Sequence, residues 1–311
     1  MANKTATRQR ARRKGAGTRV PLYAVAGAVV LALAVLGVLA LTGDDDDTAP
    51  VAGAAEPGVA HVHGLGVNPA DGSIFVATHY GTFRLAGDDP AQRIGDSFQD
   101  TMGFTVVGPD HFLGSGHPDV AGTRERLPGR LGLIESSDGG QTWEPVSLLG
   151  EVDFHGLAYA HGQVYGWDST SGRFLVSADR TAWDERSTLD LFGFAVDQND
   201  ADHIVGAGPG GLVDSTDSGR TWARTDGPGL VVLSWDAETD LWGADQAGAL
   251  WRRDAGEWTE AGELPGTPQA LLATADALYA AAGDHDSDRT GIYFSDDGGR
   301  TWELRYRDPE G

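Results

Sequence analysis

The chain contains no cysteine, and its only lysines are Lys4 and Lys14. The absence of cysteine excludes disulfides, a lipoprotein anchor and any cysteine-based catalytic or metal site. All 46 acids but only 16 arginines lie beyond residue 43, so this part of the chain carries a net charge near −30. A field of this sign repels nucleic acid and anionic membranes and favours solubility and cationic partners. We therefore predict a solvated acidic surface and no nucleic-acid partner.

The N-terminus combines a basic tail with one long apolar segment. Seven Lys or Arg and no acid lie within residues 1–19, whereas residues 21–41 are uncharged and mostly apolar. At about 1.5 Å per residue, such a segment reaches roughly 30 Å, the thickness of a bilayer core. The pattern predicts a basic cytoplasmic tail over 1–19, a transmembrane helix over 20–42 and an acidic tether rich in Ala, Pro and Gly over 43–58.

This organisation predicts a single-pass plasma-membrane protein with a cytoplasmic N-terminus and an extracytoplasmic domain. The alternative is a cleaved signal peptide, with the small residues at 52–55 as the cleavage site and a secreted domain as the product. A signal-peptide core spans only about 7–15 residues, so the length of the apolar segment favours a retained anchor.

One eight-residue motif occurs three times in the outer part of the chain. The copies begin at Ser136, Ser215 and Ser295, so their starts lie 79 and 80 residues apart. A degraded copy that begins at Ser177 lies about midway between the first two, which sets the period near 40 residues. Such a period indicates radial or stacked repetition of a small β unit. The motif residues are Ser136, Asp138, Gly140, Thr142, Trp143, Ser215, Asp217, Gly219, Thr221, Trp222, Ser295, Asp297, Gly299, Thr301 and Trp302.

The pattern Ser-x-Asp-x-Gly-x-Thr-Trp resembles the Asp-box, or BNR, repeat of sialidase-like β-propellers. The resemblance covers residues 59–307 and extends to bacterial membrane-anchored BNR-repeat proteins, which are often labelled glycosyl hydrolase or exo-α-sialidase. It implies an all-β propeller domain over these residues. Such repeats carry the fold more securely than they carry an activity.

Short apolar runs alternate with Gly, Asp and Asn turns, which predicts four strands in each repeat unit. Six such units begin near His63, Met102, His155, Phe192, Val231 and Gln269. We therefore predict a six-bladed propeller, since seven blades would need a unit that the sequence does not reveal. No strand exchange between the two ends is evident, so the sequence leaves open how the ring closes.

The motif suits a tight turn between the third and fourth strands of a blade. Its glycines, such as Gly140, allow positive φ. The Asp carboxylate can accept hydrogen bonds from N–H groups that the turn leaves unpaired, and the Ser and Thr hydroxyls extend this network. The Trp is expected to begin the outer strand and to bury its ring between neighbouring sheets. We therefore predict a structural role for these residues.

A second group of residues is predicted to meet at one mouth of the central channel. In an antiparallel blade, the start of the inner strand and the end of the second strand lie opposite the motif turn. The candidates on this face are His63, His79, His117 and His155, over three adjacent blades, and Asp168, Asp245 and Asp284 elsewhere around the rim. One interpretation is a divalent metal site for zinc or copper, which neutral imidazoles beside a carboxylate suit. The other is a polar channel in which histidines bond to water and backbone.

The resemblance also raises the question of glycoside hydrolysis. A sialidase is expected to present three arginines for the substrate carboxylate, the first in a Phe-Arg-Ile-Pro-like segment, with a Tyr–Glu pair and an acid/base Asp. The nearest segment here, residues 83–86, lacks the proline and is predicted on a third strand. We therefore expect a platform that binds a metal, a protein or another ligand such as a glycan. The alternatives are a glycoside hydrolase with an unrecognised carboxylate pair and an assembly factor for another membrane protein.

Overall fold

The computed structural model describes residues 58–87, 89–236, 240–283 and 289–308. These residues form six four-stranded sheets, and each sheet consists of four strands that are consecutive in the chain. We number the sheets as blades 1 to 6 in chain order. The prediction of an all-β, six-bladed propeller is therefore confirmed. No helix in the described ranges is long and apolar enough to cross a membrane, and the predicted tail (1–19) and transmembrane segment (20–42) lie outside these ranges.

The strands of blades 1 to 3 are β1 Val62–Val67, β2 Ile74–Thr78, β3 Gly81–Leu85, β4 Gln92–Ile94, β5 Asp100–Gly108, β6 His111–His117, β7 Leu133–Ser136, β8 Glu144–Ser147, β9 Phe154–Ala160, β10 Gln163–Asp168, β11 Arg173–Ser177 and β12 Asp184–Thr188. Those of blades 4 to 6 are β13 Gly193–Val196, β14 Ile204–Gly208, β15 Gly211–Ser215, β16 Ala223–Arg224, β17 Leu230–Trp235, β18 Leu241–Asp245, β19 Ala249–Asp254, β20 Glu257–Glu263, β21 Thr267–Ala273, β22 Leu278–Gly283, β23 Thr290–Ser295 and β24 Glu303–Arg307. One short helix, α1 Val120–Arg124, lies between β6 and β7.

The first strand of each blade is innermost and lines the central channel, and the fourth is outermost. Each inner strand begins within two residues of the start predicted for its repeat unit. The three motif copies connect the third strand to the fourth in blades 2, 4 and 6, as expected. The blade register read from the sequence is therefore correct.

Apolar side chains fill the space between every pair of neighbouring blades. Between blades 1 and 2, Phe75 and Ala77 pack against Phe104 and Phe112. Equivalent clusters join blades 2 and 3, 3 and 4, 4 and 5, and 5 and 6. Because the second strands are buried on both faces, each blade needs a neighbour on either side to keep its apolar surface from water.

The ring closes through side chains and not through strand exchange. A cluster that contains Val62 and Ile292 joins blade 1 to blade 6. Just after β24, the carboxylate of Asp308 accepts hydrogen bonds from the N–H groups of Val59 and Ala60 at 2.6 and 2.9 Å. These contacts answer the question of closure that the sequence left open.

Each motif turn is held by a network of hydrogen bonds around the carboxylate of its Asp. In the second copy, Asp217 Oδ1 accepts from the N–H of Thr221 at 2.8 Å, and Oδ2 accepts from the Thr221 hydroxyl at 2.7 Å. Ser215 Oγ donates to Asp217 at 2.9 Å and accepts from the N–H of Gly219 at 2.9 Å. Gly219 has φ +83°, and a Cβ there would lie 2.5 Å from the ring of Phe174. The turn therefore requires glycine at this position.

The motif Trp joins its blade to the preceding one. Trp222 Nε1 donates to Ser187 Oγ on β12 at 2.9 Å, and its ring packs edge to face on Phe174. Trp302 packs in the cluster between blades 5 and 6. Its Nε1 is buried and has no hydrogen-bond partner among the described residues. The two tryptophans therefore differ by one inter-blade hydrogen bond.

This difference predicts unequal costs for the same substitution. Trp222→Phe removes the Nε1 donor shared by Ser187 Oγ and the Gly219 carbonyl, whereas Trp302→Phe removes no bond found among the described residues. We therefore expect the first change to lower the free energy of unfolding by about 1–2 kcal/mol more than the second. Trp222→Ala should cost about 3–5 kcal/mol because it also empties the space between blades 3 and 4. Urea unfolding of the variants and the parent measures these values, and equal costs for the two Phe variants would contradict the assignment.

The motif carboxylates also predict a loss of stability in acid. Hydrogen bonds from Thr221 and Thr301 lower the pKa of Asp217 and Asp297, respectively, to about 2. Because this pKa is lower in the folded chain than in the unfolded one, the stabilisation is present above about pH 4 and is lost as the pH falls towards 2. We expect the melting temperature to drop across this range. The double variant Asp217→Asn, Asp297→Asn should show a smaller drop, and an unchanged pH profile would refute the prediction.

The hydrogen bonds of Asp308 that help to close the ring are expected to contribute to stability. Asp308→Ala removes a charged acceptor from two N–H groups, so we expect the free energy of unfolding to fall by about 2–3 kcal/mol. Asp308→Asn keeps one acceptor oxygen and should cost less. Thermal and urea unfolding test the order. If both variants were as stable as the parent, the carboxylate would not contribute to closure.

Candidate metal centre

Five histidines lie at one mouth of the channel, where inner strands begin and second strands end. The motif turns lie at the opposite face. These histidines are His61, His63, His79, His117 and His155. Four of them form two sets, each of which holds two imidazoles beside one aspartate.

The first set joins blades 1 and 2. His63 lies on β1, His79 directly follows β2, and Asp100 begins β5. His63 Nε2 lies 3.3 Å from His79 Nδ1 and 3.4 Å from Asp100 Oδ1, and the latter two atoms are 2.9 Å apart. Tetrahedral ligands with bonds of about 2.0 Å lie about 3.3 Å from one another. The three atoms therefore already have the spacing that one metal ion needs.

The charge state of the first set also suits a cation. Burial lowers the pKa of His63, against the opposing effect of its hydrogen bond to Asp100. Loss of solvation lowers the pKa of His61 to about 4, aided by repulsion from His63 and His79, although His61 as a whole is exposed. Burial acts to raise the pKa of Asp100, but hydrogen bonds with the two histidines hold it well below its usual range. Neutral imidazole and ionised carboxylate are the forms that bind metals.

The second set joins blades 2 and 3. His117 ends β6, Asp153 precedes β9, and His155 lies on β9. Asp153 Oδ2 lies 3.3 Å from His117 Nε2 and 3.0 Å from His155 Nε2. Asp153 is only 3% exposed, and its other oxygen, Oδ1, has no hydrogen-bond partner among the described residues. A buried carboxylate oxygen without a partner costs free energy that a bound cation would recover.

The backbone orients His117 towards this set. His117 Nδ1 lies 2.7 Å from the carbonyl oxygen of Gly129. Because a carbonyl can only accept, Nδ1 carries the proton and Nε2 faces Asp153, as in histidines oriented for metal binding. The hydrogen bond to Asp153 raises the pKa of His117 to about 9. A metal ion would therefore replace a proton at Nε2.

The two sets are neighbours. Asp100 of the first set and His117 of the second are directly opposite each other on β5 and β6. Opposite residues of antiparallel strands point to the same face, with Cα atoms about 4.5–5.5 Å apart. The N–H of Phe154 donates to Ser115 Oγ at 3.0 Å, which ties β9 to β6. Blades 1, 2 and 3 thus present both sets side by side.

Sequence reasoning brought four histidines to this mouth but missed His61, Asp100 and Asp153. Each of these residues lies two positions before the start predicted for its repeat unit, and in an extended strand that spacing keeps side chains on one face. A search for metal ligands at this spacing would have found all three.

Two of the three predicted rim acids lie in the described ranges, and both are engaged in hydrogen bonds with backbone N–H groups. Asp168 is fully buried, and its carboxylate accepts from the N–H of Asp153 at 3.1 Å and from hydroxyls of its own turn. It therefore positions the second set and does not face a ligand. Asp245 Oδ1 accepts two N–H groups of the turn between β18 and β19. Asp284 lies outside the described residues.

The mouth opens into a central channel of about 800 Å³, which His63 and His155 line at one end. The channel wall below them is formed mostly by glycine and apolar residues of the six inner strands. At the opposite face, His111 and His203 lie beside acids, Glu135 and Asp214, in the blades to which they belong. Within the described ranges, pairs of histidines around one carboxylate occur at the mouth alone.

Comparison with known proteins supports the fold. The BNR/Asp-box repeat family matches residues 293–304, which span the third motif turn. No curated protein sequence matches the chain. The structure is similar to a GH74 enzyme from Niastella koreensis, with a TM-score of 0.59 and 14% identity over 80% of this chain and 46% of that one. It is also similar to a chain of a nidogen/laminin complex, with a TM-score of 0.59 and 13% identity over 75% of this chain and 93% of that one.

The chain is thus a six-bladed β-propeller with BNR/Asp-box repeats. It spans less than half of the Niastella koreensis enzyme. At these identities the similarity concerns the fold alone. The repeat residues and the histidine sets lie at opposite faces, so the family match carries no information about the mouth.

Proposed function

We propose that this propeller binds divalent metal ions at the histidine mouth and is held outside the cell by one N-terminal membrane helix. The observation that carries the proposal is the convergence of two sets of two imidazoles and one aspartate, one of which leaves a buried carboxylate oxygen unpaired. A cation between the three ligand atoms of each set would satisfy them together. Its binding free energy would offset the cost of keeping these groups in place.

The ligand type favours zinc or copper. Imidazole and carboxylate ligands suit both ions, and three protein ligands leave a position open for water or a further ligand. His61 stacks on His79 with ring centroids 5.4 Å apart, so it flanks the first set without belonging to it. The acidic surface would raise the local concentration of cations.

The location of the domain rests on the N-terminal sequence. An uncharged segment over residues 21–41 behind a basic tail favours a retained helix with the propeller outside the cell. A cysteine-free histidine site does not depend on the redox state of thiols, so it would suit a domain outside the cell.

Glycoside hydrolysis is the second candidate, because the fold is similar to that of a glycoside hydrolase. That chemistry needs one carboxyl group that stays protonated near neutral pH beside a second, ionised one. Burial acts to raise the pKa of Asp100 and of Asp153, but hydrogen bonds from the neighbouring histidines hold both well below their usual range. These acids are therefore suited to binding a cation and not to donating a proton.

Metal titration tests the proposal. We expect the purified full-length chain, stripped with chelator, to bind two zinc or copper ions per molecule in isothermal titration calorimetry. His63→Ala with His79→Ala should remove one ion, and His117→Ala with His155→Ala should remove the other. Saturating metal should raise the melting temperature of the parent. At a hundredfold excess over the dissociation constant, each occupied site should stabilise the fold by about 2.7 kcal/mol.

The matched control is His161→Ala, since His161 lies at the opposite face, where its ring hydrogen-bonds with the carbonyl of Asp197. This variant should bind as the parent does. If the parent binds no metal stoichiometrically, or if both double variants bind as the parent does, the proposal is wrong.

A further inference from the structure

Three exposed arginines belong to the segment that directly follows His117 of the second set. Arg124, Arg126 and Arg130 belong to the insertion between β6 and β7, and all three are exposed. Among the described residues, none of their side chains forms an ion pair or a hydrogen bond. With three arginines against two acids, Asp119 and Glu125, the insertion is net positive in a domain whose net charge is near −30.

The insertion is fixed next to the second metal set. The carbonyl of Gly129 accepts from His117, and Arg130 follows it directly in the chain. On the other side, the carboxylate of Asp119 accepts from the N–H of Phe98 at 3.1 Å and from the N–H of Gly122 at 2.7 Å. The arginines are therefore carried by a segment with defined contacts to both blade 2 and the loop before it.

The metal-loaded sets would present open coordination positions and positive charge at the same place. Each set supplies three protein ligands, which leaves at least one position of a four-coordinate ion for an exogenous ligand. One aspartate per divalent ion leaves one positive charge on each, and a phosphate group carries about −1.5 to −2 near pH 7. Arginine pairs with phosphate oxygens in a two-pronged geometry.

We propose that the metal-loaded mouth binds a phosphate oxyanion, whose oxygens coordinate the metal ions and accept hydrogen bonds from the arginines of the insertion. This inference rests on the metal binding proposed above. The adjacency of Asp100 and His117 on β5 and β6 allows one anion to reach both ions. Without metal, the acidic surface opposes the anion, so phosphate binding should require the loaded protein.

Calorimetry of the zinc-loaded full-length chain tests the inference, with inorganic phosphate in one arm and glycerol 3-phosphate in the other. We expect at least one of them to bind, and neither to bind the zinc-free chain. The triple variant Arg124→Gln, Arg126→Gln, Arg130→Gln should weaken binding at least tenfold and leave the zinc stoichiometry unchanged. The matched control is Arg300→Gln, because Arg300 is an unpaired arginine in the third motif turn, at the opposite face.

The outcomes separate this inference from the proposed function. If zinc binds but neither phosphate compound does, or if the triple variant and Arg300→Gln bind phosphate equally well, the inference is wrong and the metal site stands. If zinc itself does not bind, both fail. If glycerol 3-phosphate binds but inorganic phosphate does not, the inference is supported and the ligand of the mouth is a phosphate ester.

Discussion

Burial of both faces of every blade is the constraint on which this structure depends. β2, for example, is buried at each of its residues, so blade 1 would expose apolar surface to water without a neighbour on either side. An open row of six sheets always leaves two such faces uncovered, whereas a ring leaves none. The cluster between blades 6 and 1 is therefore the energetic reason for closure. This packing brings the first and last strands of the propeller together, and the carboxylate of Asp308 then adds two hydrogen bonds between the segments that flank them.

The candidate metal centre is a consequence of the same ring. No single blade holds a complete set, since the first set takes ligands from blades 1 and 2 and the second from blades 2 and 3. In each set, the distance from the residue of one blade to the residues of the other is therefore set by inter-blade packing, which the bond of Phe154 to Ser115 supports. The bond of Asp153 to Asp168 holds the second set within blade 3. A metal ion bound there would connect adjacent blades and stabilise the folded ring by mass action.

The two faces of the ring carry different kinds of residues. At one face the motif repeats the same carboxylate network in three blades, because the same tight turn has to be built each time. At the other, the candidate ligands found among the described residues occur in three adjacent blades, as expected when a repeated scaffold carries one asymmetric site. The repeated motif residues therefore build the architecture, whereas the candidate metal ligands lie at positions that do not repeat from blade to blade.

The sequence by itself determined the blade count, the register and the turn chemistry, because the motif requires a glycine at positive φ, a carboxylate acceptor and a half-buried Trp at fixed spacing. It also placed His63, His79, His117 and His155 at one face, since strand direction alone decides the face. Only the tertiary structure decided that Asp100 and Asp153 complete the two sets and that Asp168 supports one of them from behind. The first relation depends on distances between blades and the second on the pairing of β9 with β10, and both come from packing that no local pattern records.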